Sequence, residues 1–257
     1  TRERMCMKSA DVPCAYLNGT SDKRHMMKLG RKIVDMIMVL DKGLEKYVDG
    51  KGTIVVELKK CLYGLQEAAK VWYDLMSKTL MDNGFNRSVW DKCLFYKKVE
   101  ESYVYVLLYV DDMLICGKSE AVVDDIIGTL NKSFTDGVVV KQGKHISFLG
   151  LQINMESDHT LICQEHYLKT IMEDLKVVGT AKSPAADNFM DRREDNDKEC
   201  DKVLYRRTVY RLMYAAIRTR PDILYAIVVL CGRCETATEG DWGHVQRLLK
   251  YINGTLK

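Results

Sequence analysis

The chain has 257 residues, 47% of them hydrophobic, and a formal net charge of +3, which suits a globular protein with one large core or two smaller ones. No run of about 18 uncharged apolar residues occurs, and the opening TRERMCMKSADVPC lacks the apolar stretch of a signal peptide; membrane insertion and secretion are disfavoured and an intracellular protein is expected. Nine scattered cysteines, an odd number, read as small apolar residues in a reducing compartment rather than a disulfide framework, and the close pair in CGRC, Cys231 and Cys234, reads as helix packing rather than a zinc site.

In chain order, the first periodic segment is a helix at about 65 to 82, where Leu65, Ala68, Trp72, Leu75 and Met76 recur at three- and four-residue spacing and Asn83-Gly84 supplies the stop. CLFYKKV and SYVYVLLYV, separated by EES, form a hairpin signature. The second run stops at Asp111-Asp112 and resumes as MLICG, which predicts strand, tight turn and returning strand. Ser119 stands where a helix cap belongs, followed by the apolar stripe Val122, Val123, Ile126, Ile127, Leu130 and Phe134, with Gly137 after it. Strand signals return at ISFLGLQINM, turn at ESDH and pair back at TLIC; QEHYLKTIMEDL is a short helix. The acid-rich stretch 186–201 is read as a solvated linker. Beyond it lie two helices, YRRTVYRLMYAAIRT and PDILYAIVVLC, the second opening on Pro221 with Asp222 near its positive end, and a last helix at about 241 to 252. The expected architecture is an α+β domain over 1–180, an acidic linker over 181–203 and a helical region over 204–257.

Charge is unevenly spread. Residues 58–98 hold eight Lys or Arg against four acids, and 204–257 hold nine against four, a pattern that bears on partners more than the total does. On the last helix His244, Arg247 and Lys250 recur at three-residue spacing, as a phosphate-tracking face or a solvated one. The opposite case is Asp111-Asp112, two adjacent anions between apolar runs. They form either a solvated hairpin tip or a site built for something positive, because burying unpaired carboxylates is costly. Asp11, before VPC, is equally readable alone as a turn or capping aspartate.

DVPCAYLNG (11–19), LKKCLYGLQEAAKVWY (58–73), YVDDML (109–114), FLGLQI (148–153), YRRTVYRLMYAAIRTRPDILYAI (205–227) and LLKYINGT (248–255) stand in the order found in the reverse transcriptase of copia-type retrotransposon Pol polyproteins, which the chain resembles over nearly its whole length. The resemblance implies the palm of a right-hand polymerase, a four-stranded antiparallel sheet backed by helices, followed by a helical thumb. It implies RNA-directed DNA synthesis by two-metal nucleotidyl transfer, with two Mg²⁺ ions, or Mn²⁺ as substitute, held by carboxylates and substrate phosphates. Asp11 resembles the first metal aspartate, Asp111 the second and Asp112 the auxiliary carboxylate. Val12, Tyr16, Gly64 and Gln66 fall in nucleotide-binding blocks, with the Tyr16 ring placed under the sugar, where it would exclude a 2′-hydroxyl. A core tyrosine is the other reading of Tyr16, and a plain helix-entry turn that of Gly64. Phe148, Leu149 and Gly150 resemble the strand turn that grips the primer end. Lys141 is a candidate general acid for the departing pyrophosphate, or a loop lysine. Trp72 and Tyr73 read as palm core.

The implied partners are an RNA template, a DNA or RNA primer, deoxynucleoside triphosphates, and a ribonuclease H domain and an integrase of the same polyprotein, with no membrane. The setting is cytoplasmic, in a virus-like particle, or nuclear. Only ten residues precede Asp11, so the fingers that the family carries there are expected to be largely missing. A truncated chain of this kind is therefore read as a polymerase, as a catalytically silent nucleic-acid-binding remnant, or as a relic.

Overall fold

The computed structural model describes residues 5–191 and 197–256. The chain divides into two compact units, one ending at Gly143 and one beginning at Lys144; each is described by itself.

In the first unit, strand β1 (Cys6–Asp11) is followed by β2 (His25–Leu29), helix α1 (Arg31–Leu40), β3 (Ile54–Leu58), α2 (Ala68–Asp82), β4 (Asn86–Arg87), β5 (Leu94–Val99), β6 (Ser102–Tyr109), β7 (Asp112–Gly117), α3 (Glu120–Ser133) and β8 (Val139–Lys141). One antiparallel sheet runs in the order β4-β5-β6-β7-β1-β8. The sheet thus has six strands where four were expected, the two edge strands β4 and β8 being short. Alternation explains it: Val104, Val106 and Leu108 of β6, and Met113 and Ile115 of β7, all point to one face and are buried. That face meets Trp72, Met76 and Leu80 of α2 and Val123, Ile126 and Leu130 of α3. Each such large apolar side chain contributes about 1.5–3 kcal/mol by leaving water. The predicted caps form, with Ser119 Oγ accepting from Val122 N and Gly84 adopting φ 83° after α2. Lys8 lies on the buried face of β1, where Glu120 at 2.9 Å and Asp124 at 2.7 Å neutralise it. The antiparallel pair β2–β3 and the helix α1 that lies between them in sequence form a side module around Leu29, Val34 and Ile54.

The second unit holds β9 (His145–Phe148), β10 (Leu151–Met155), β11 (Thr160–Cys163), α4 (Glu165–Asp174), α5 (Lys202–Ala216), α6 (Leu224–Cys231) and α7 (Glu239–Gly254). The stretch ISFLGLQINM is two strands rather than one, because Leu149 (φ 50°) and Gly150 (φ 72°) turn the chain back at a two-residue hairpin. A sequence boundary near 180 differs from the compact division at Gly143. The physical reason is that Leu168, Ile171 and Met172 of α4 enter the core made by α5, α6 and α7, and Tyr214 Oη donates to Leu149 O at 2.6 Å. The acidic stretch is only partly a solvated linker: Phe189 is buried in that same core and Asp201 caps α5, while residues 192–196 lie outside the described residues. Cys231 and Cys234 sit at the end of α6, the latter buried, as free thiols. Among the described residues, no helix is long and apolar enough to cross a membrane.

Candidate active site

β1 and β7 pair so that Asp11 lies directly opposite Asp112, which puts their side chains on one face at adjacent positions. Asp111 belongs to the two-residue turn that joins β6 to β7, since Tyr109 pairs with Asp112. β8 lies on the other side of β1 with Lys141 opposite Ser9. Lys141 is therefore on the same face as Asp11, one diagonal away. Burial, then the charges of Asp111 and Asp112, push the Asp11 carboxyl above its ordinary 3.8, and the Lys141 charge pulls it back. Among the described residues no Lys, Arg or His lies within ion-pair distance of the three aspartates.

The turn that presents Asp111 is strained. Val110 has φ 55°, a conformation that a β-branched residue adopts at a cost of order 1–3 kcal/mol. Two hydrogen bonds hold it: Trp72 Nε1 donates to Val110 O at 2.6 Å, and Val12 N donates to Asp111 O at 3.2 Å. Val12 and Trp72 are both 1% exposed. Trp72 is thus core, as its helix face predicts, and also a strut beneath the aspartate turn, which periodicity does not reveal. Nor does hydrophobic periodicity single out Tyr63. Its hydroxyl donates to Asp111 Oδ2 at 3.3 Å, its ring meets that of Tyr16 at 4.4 Å, and burial followed by the Asp111 charge raises its phenol above its ordinary value.

Tyr16 is half-buried in a short helical turn, Ala15–Asn18, that follows Cys14 in the left-handed region. Gly64 has φ 101° with open space where a Cβ would stand, so the backbone conformation and not crowding favours glycine there. Gln66 is exposed; the neighbouring Glu67 takes hydrogen bonds from Ser21 and His25. The structure therefore brings Asp11, Asp111, Asp112, Lys141, Val12 and Tyr16 to one end of the sheet, with Tyr63 of the Gly64 block joined to them.

The remaining predicted residues are in the second unit. Phe148 is buried, and Leu149 and Gly150 form the hairpin turn under Tyr214. The three-residue series on α7 does not share one exposed face, because successive steps of three drift by about 60° around a helix. His244 meets the Phe189 ring edge-on at 5.2 Å, and burial, then Arg233, lowers its pKa. Arg247 Nη2 donates to Ser183 Oγ at 3.0 Å, while its buried Nε has no acceptor. Lys250 is exposed. Arg247 and Lys250 line a groove of about 450 Å³ with Lys182 and Thr180.

Oxygen donors without imidazole or thiolate suit a hard divalent ion. Among the described residues no group of three or more His, Cys, Asp and Glu is drawn close enough to hold a metal ion by itself. Asp11 and Asp112 are paired across two strands and Asp111 stands in the adjoining turn, a donor set that suits Mg²⁺, which is ordinarily held by one or two carboxylates together with substrate phosphates.

Residues 1–185 match the family model described as reverse transcriptase (RNA-dependent DNA polymerase). The chain belongs to this family. Its relatives are of the retrotransposon Pol kind. It is 29% identical over 97% of its length to the retrovirus-related Pol polyprotein from transposon TNT 1-94 of Nicotiana tabacum. It is 32% identical over 97% of its length to that from transposon RE1 of Arabidopsis thaliana. To the putative transposon Ty5-1 protein of Saccharomyces cerevisiae it is 26% identical, over 95% of this chain and 75% of that one. The chain spans 18% and 16% of the tobacco and Arabidopsis polyproteins. The copia-type reverse transcriptase resemblance is thereby shown, as is a mixed architecture of antiparallel sheets and helices.

Proposed function

We propose that the first unit supplies the active site of RNA-templated DNA synthesis, in which a primer 3′-hydroxyl attacks the α-phosphate of a deoxynucleoside triphosphate and pyrophosphate leaves. The observation that carries this reading is the placement of Asp11 opposite Asp112 with Asp111 in the adjoining turn, among the described residues without a cationic partner at ion-pair distance, at the cost of a raised Asp11 pKa and a strained turn. Asp11 and Asp111 would hold two Mg²⁺, or Mn²⁺ in their place, with Asp112 beside them. When bound, such ions supply charge neutralisation at the phosphates and a more acidic 3′-hydroxyl.

The chain's own groups do the rest. Trp72 and Val12 fix the height of the Asp111 turn, so that carboxylate geometry is set before substrate arrives. The Tyr16 ring closes the space that a 2′-hydroxyl would need. Gly64 and Gln66 border the nucleotide. Lys141 Nζ donates a proton to the departing pyrophosphate oxygen. In this arrangement the six-stranded sheet with α2 and α3 is the palm, Phe148–Gly150 grip the primer, and α5–α7 form the thumb. Partners would be an RNA template, a DNA or RNA primer and deoxynucleoside triphosphates, and, within a Pol polyprotein, ribonuclease H and integrase. The test is extension of oligo(dT) on poly(rA) by the full chain and by Asp11→Asn: the parent incorporates dTTP and the variant does not. Equal incorporation by both would refute the assignment.

A second reading, nucleic-acid binding without chemistry, is favoured by one observation: Lys182, Arg247 and Lys250 share a groove, and among the described residues no carboxylate lies within ion-pair distance of them. Such a surface binds phosphates without specifying sequence.

A further inference from the structure

Tyr63 lies in the connection between β3 and α2, and its position is fixed from both sides. Cys61, fully buried, donates its backbone N–H to Gly19 O at 2.9 Å, and Leu65 N donates to Leu62 O at 3.1 Å. A Cβ on Gly19 would stand 2.8 Å from Val71 Cγ1, so the loop that carries Tyr16 is pressed close against α2, and the Cys61 hydrogen bond ties the Tyr63 segment to it. Gly64, with φ 101°, then turns the chain away into the helix.

Despite this anchoring Tyr63 is 60% exposed. A large aromatic side chain held by its backbone, yet left open on most of its surface, is the unusual feature here. Its two contacts go to two different parts of the site: the ring to the Tyr16 ring at 4.4 Å, tilted by 43°, and the hydroxyl to Asp111 Oδ2 at 3.3 Å. Because an ionised carboxylate only accepts, the hydrogen bond runs from the phenol to Asp111. It occupies one side of Oδ2 and favours one rotation of the carboxylate. The ring pairing limits how far the Tyr16 ring can tilt away from whatever stands over it.

We infer that Tyr63 is a positioning and specificity residue of the proposed polymerase site: its hydroxyl orients the Asp111 carboxylate for the divalent ion, and its ring backs Tyr16 in excluding the 2′-hydroxyl. This rests on the polymerase reading, and Phe and Leu substitutions separate the two roles. Tyr63→Phe keeps the ring and removes the hydroxyl; Tyr63→Leu removes both.

Two equilibrium measurements on the full chain test it without turnover. The first is Mn²⁺ affinity, followed by paramagnetic resonance. The second is the ratio of dATP to ATP affinity on a primer–template, with Ca²⁺ in place of the reactive ion. Tyr63→Phe should weaken Mn²⁺ binding by about tenfold, the lower end of what loss of a ligand-orienting hydrogen bond costs, and leave the sugar ratio at the parental value. Tyr63→Leu should weaken Mn²⁺ equally and lower the sugar ratio by about tenfold. Tyr16→Ala should lower the ratio while Mn²⁺ affinity stays parental. Thermal melts confirm that each variant is folded, and Tyr63→Phe, which changes only an exposed oxygen, decides the hydroxyl role if Tyr63→Leu does not fold. Asp111→Asn distinguishes the two levels of the reading. If it binds Mn²⁺ as the parent does, the aspartate site itself is refuted. If it loses Mn²⁺ while Tyr63→Phe retains parental affinity, the role of the Tyr63 hydroxyl is overturned and the site stands. A parental sugar ratio in Tyr63→Leu overturns the role of the ring.

Discussion

The two units treat carboxylates in opposite ways. In the second, acids are matched to guanidinium groups: Asp174 to Arg211 at 2.7 Å, Asp222 to Arg220 at 2.7 Å and buried Asp241 to Arg233 at 2.9 Å. The Arg220 partner holds the Asp222 carboxyl below its ordinary value. In the first unit, Asp11 lies opposite Asp112 with Asp111 in the adjoining turn, and Asp11 is pushed the other way by burial and like charge. Matched charge is what a fold uses to fasten its helices; unmatched charge at the end of a sheet is what the proposed divalent ions would neutralise. The charges of the first unit are not unmatched everywhere, since Lys8 meets Glu120 and Asp124. The contrast is therefore local to the site.

The largest expected effect comes from the aspartates. Asp111→Asn should abolish primer extension, whereas Asp112→Asn should weaken ion binding less and still lower the rate severely; gel-resolved extension and Mn²⁺ binding on the same samples separate the two. Next is Trp72→Phe, which keeps most of the apolar volume and leaves Val110 O without its donor. An expected loss of about 1–3 kcal/mol in urea unfolding should accompany a larger fall in extension than in template affinity, because the turn carrying Asp111 is what relaxes. A parental rate in a destabilised variant would reduce Trp72 to packing alone.

The same substitution should have opposite signs in the two units. Asp11→Asn removes a carboxylate whose folded pKa is raised above 3.8, so the cost it imposes is full at neutral pH and vanishes as pH falls through that raised value. The variant should melt higher than the parent at pH 7, and the two should converge in acid. Asp222→Asn removes a carboxylate whose folded pKa is lowered. Its stabilisation is present above the ordinary 3.8 and is lost as pH falls through the depressed folded value. That variant should melt lower at pH 7, by about 1 kcal/mol given its partial exposure. Scanning calorimetry from pH 7 to 3 checks both. The smallest effect is at the α7 groove, where Lys182→Ala with Lys250→Ala should reduce the log–log salt slope of RNA:DNA hybrid binding by about one for each phosphate-binding lysine removed, and equal slopes would assign both lysines to a solvated face.

Much of the fold was legible because β5, β6 and β7 alternate cleanly and α2, α3 and α5 carry apolar stripes between strong stops. The β2–α1–β3 module was not. Its core is only a few residues, and Met36, Val39 and Leu40 of α1 are apolar yet exposed, so hydrophobic period and burial disagree there. The β9–β10 turn was legible only through the family block at 148–150, because Leu149 takes a left-handed conformation that its side chain does not advertise. Asp11, Asp111 and Asp112 came from the family blocks; what composition added was only that adjacent buried anions need a counter-charge. Tyr63 and Trp72 escaped because their hydrogen bonds join positions 48 and 38 residues apart, and no local period encodes such a bond. The available hint was an aromatic residue beside Gly64 in a turn, where packing alone gives little reason for one.

The unmatched aspartates would together form the proposed centre for two divalent ions, and Mn²⁺ binding to the full chain measures it most directly. The parent should bind Mn²⁺ with an affinity that falls as pH is lowered through the range where Asp11 takes up a proton. Asp11→Asn and Asp111→Asn should each lose most of that binding, and Asp222→Asn, whose acid is already matched, should retain it. Parental Mn²⁺ affinity in both Asp11→Asn and Asp111→Asn would contradict the account.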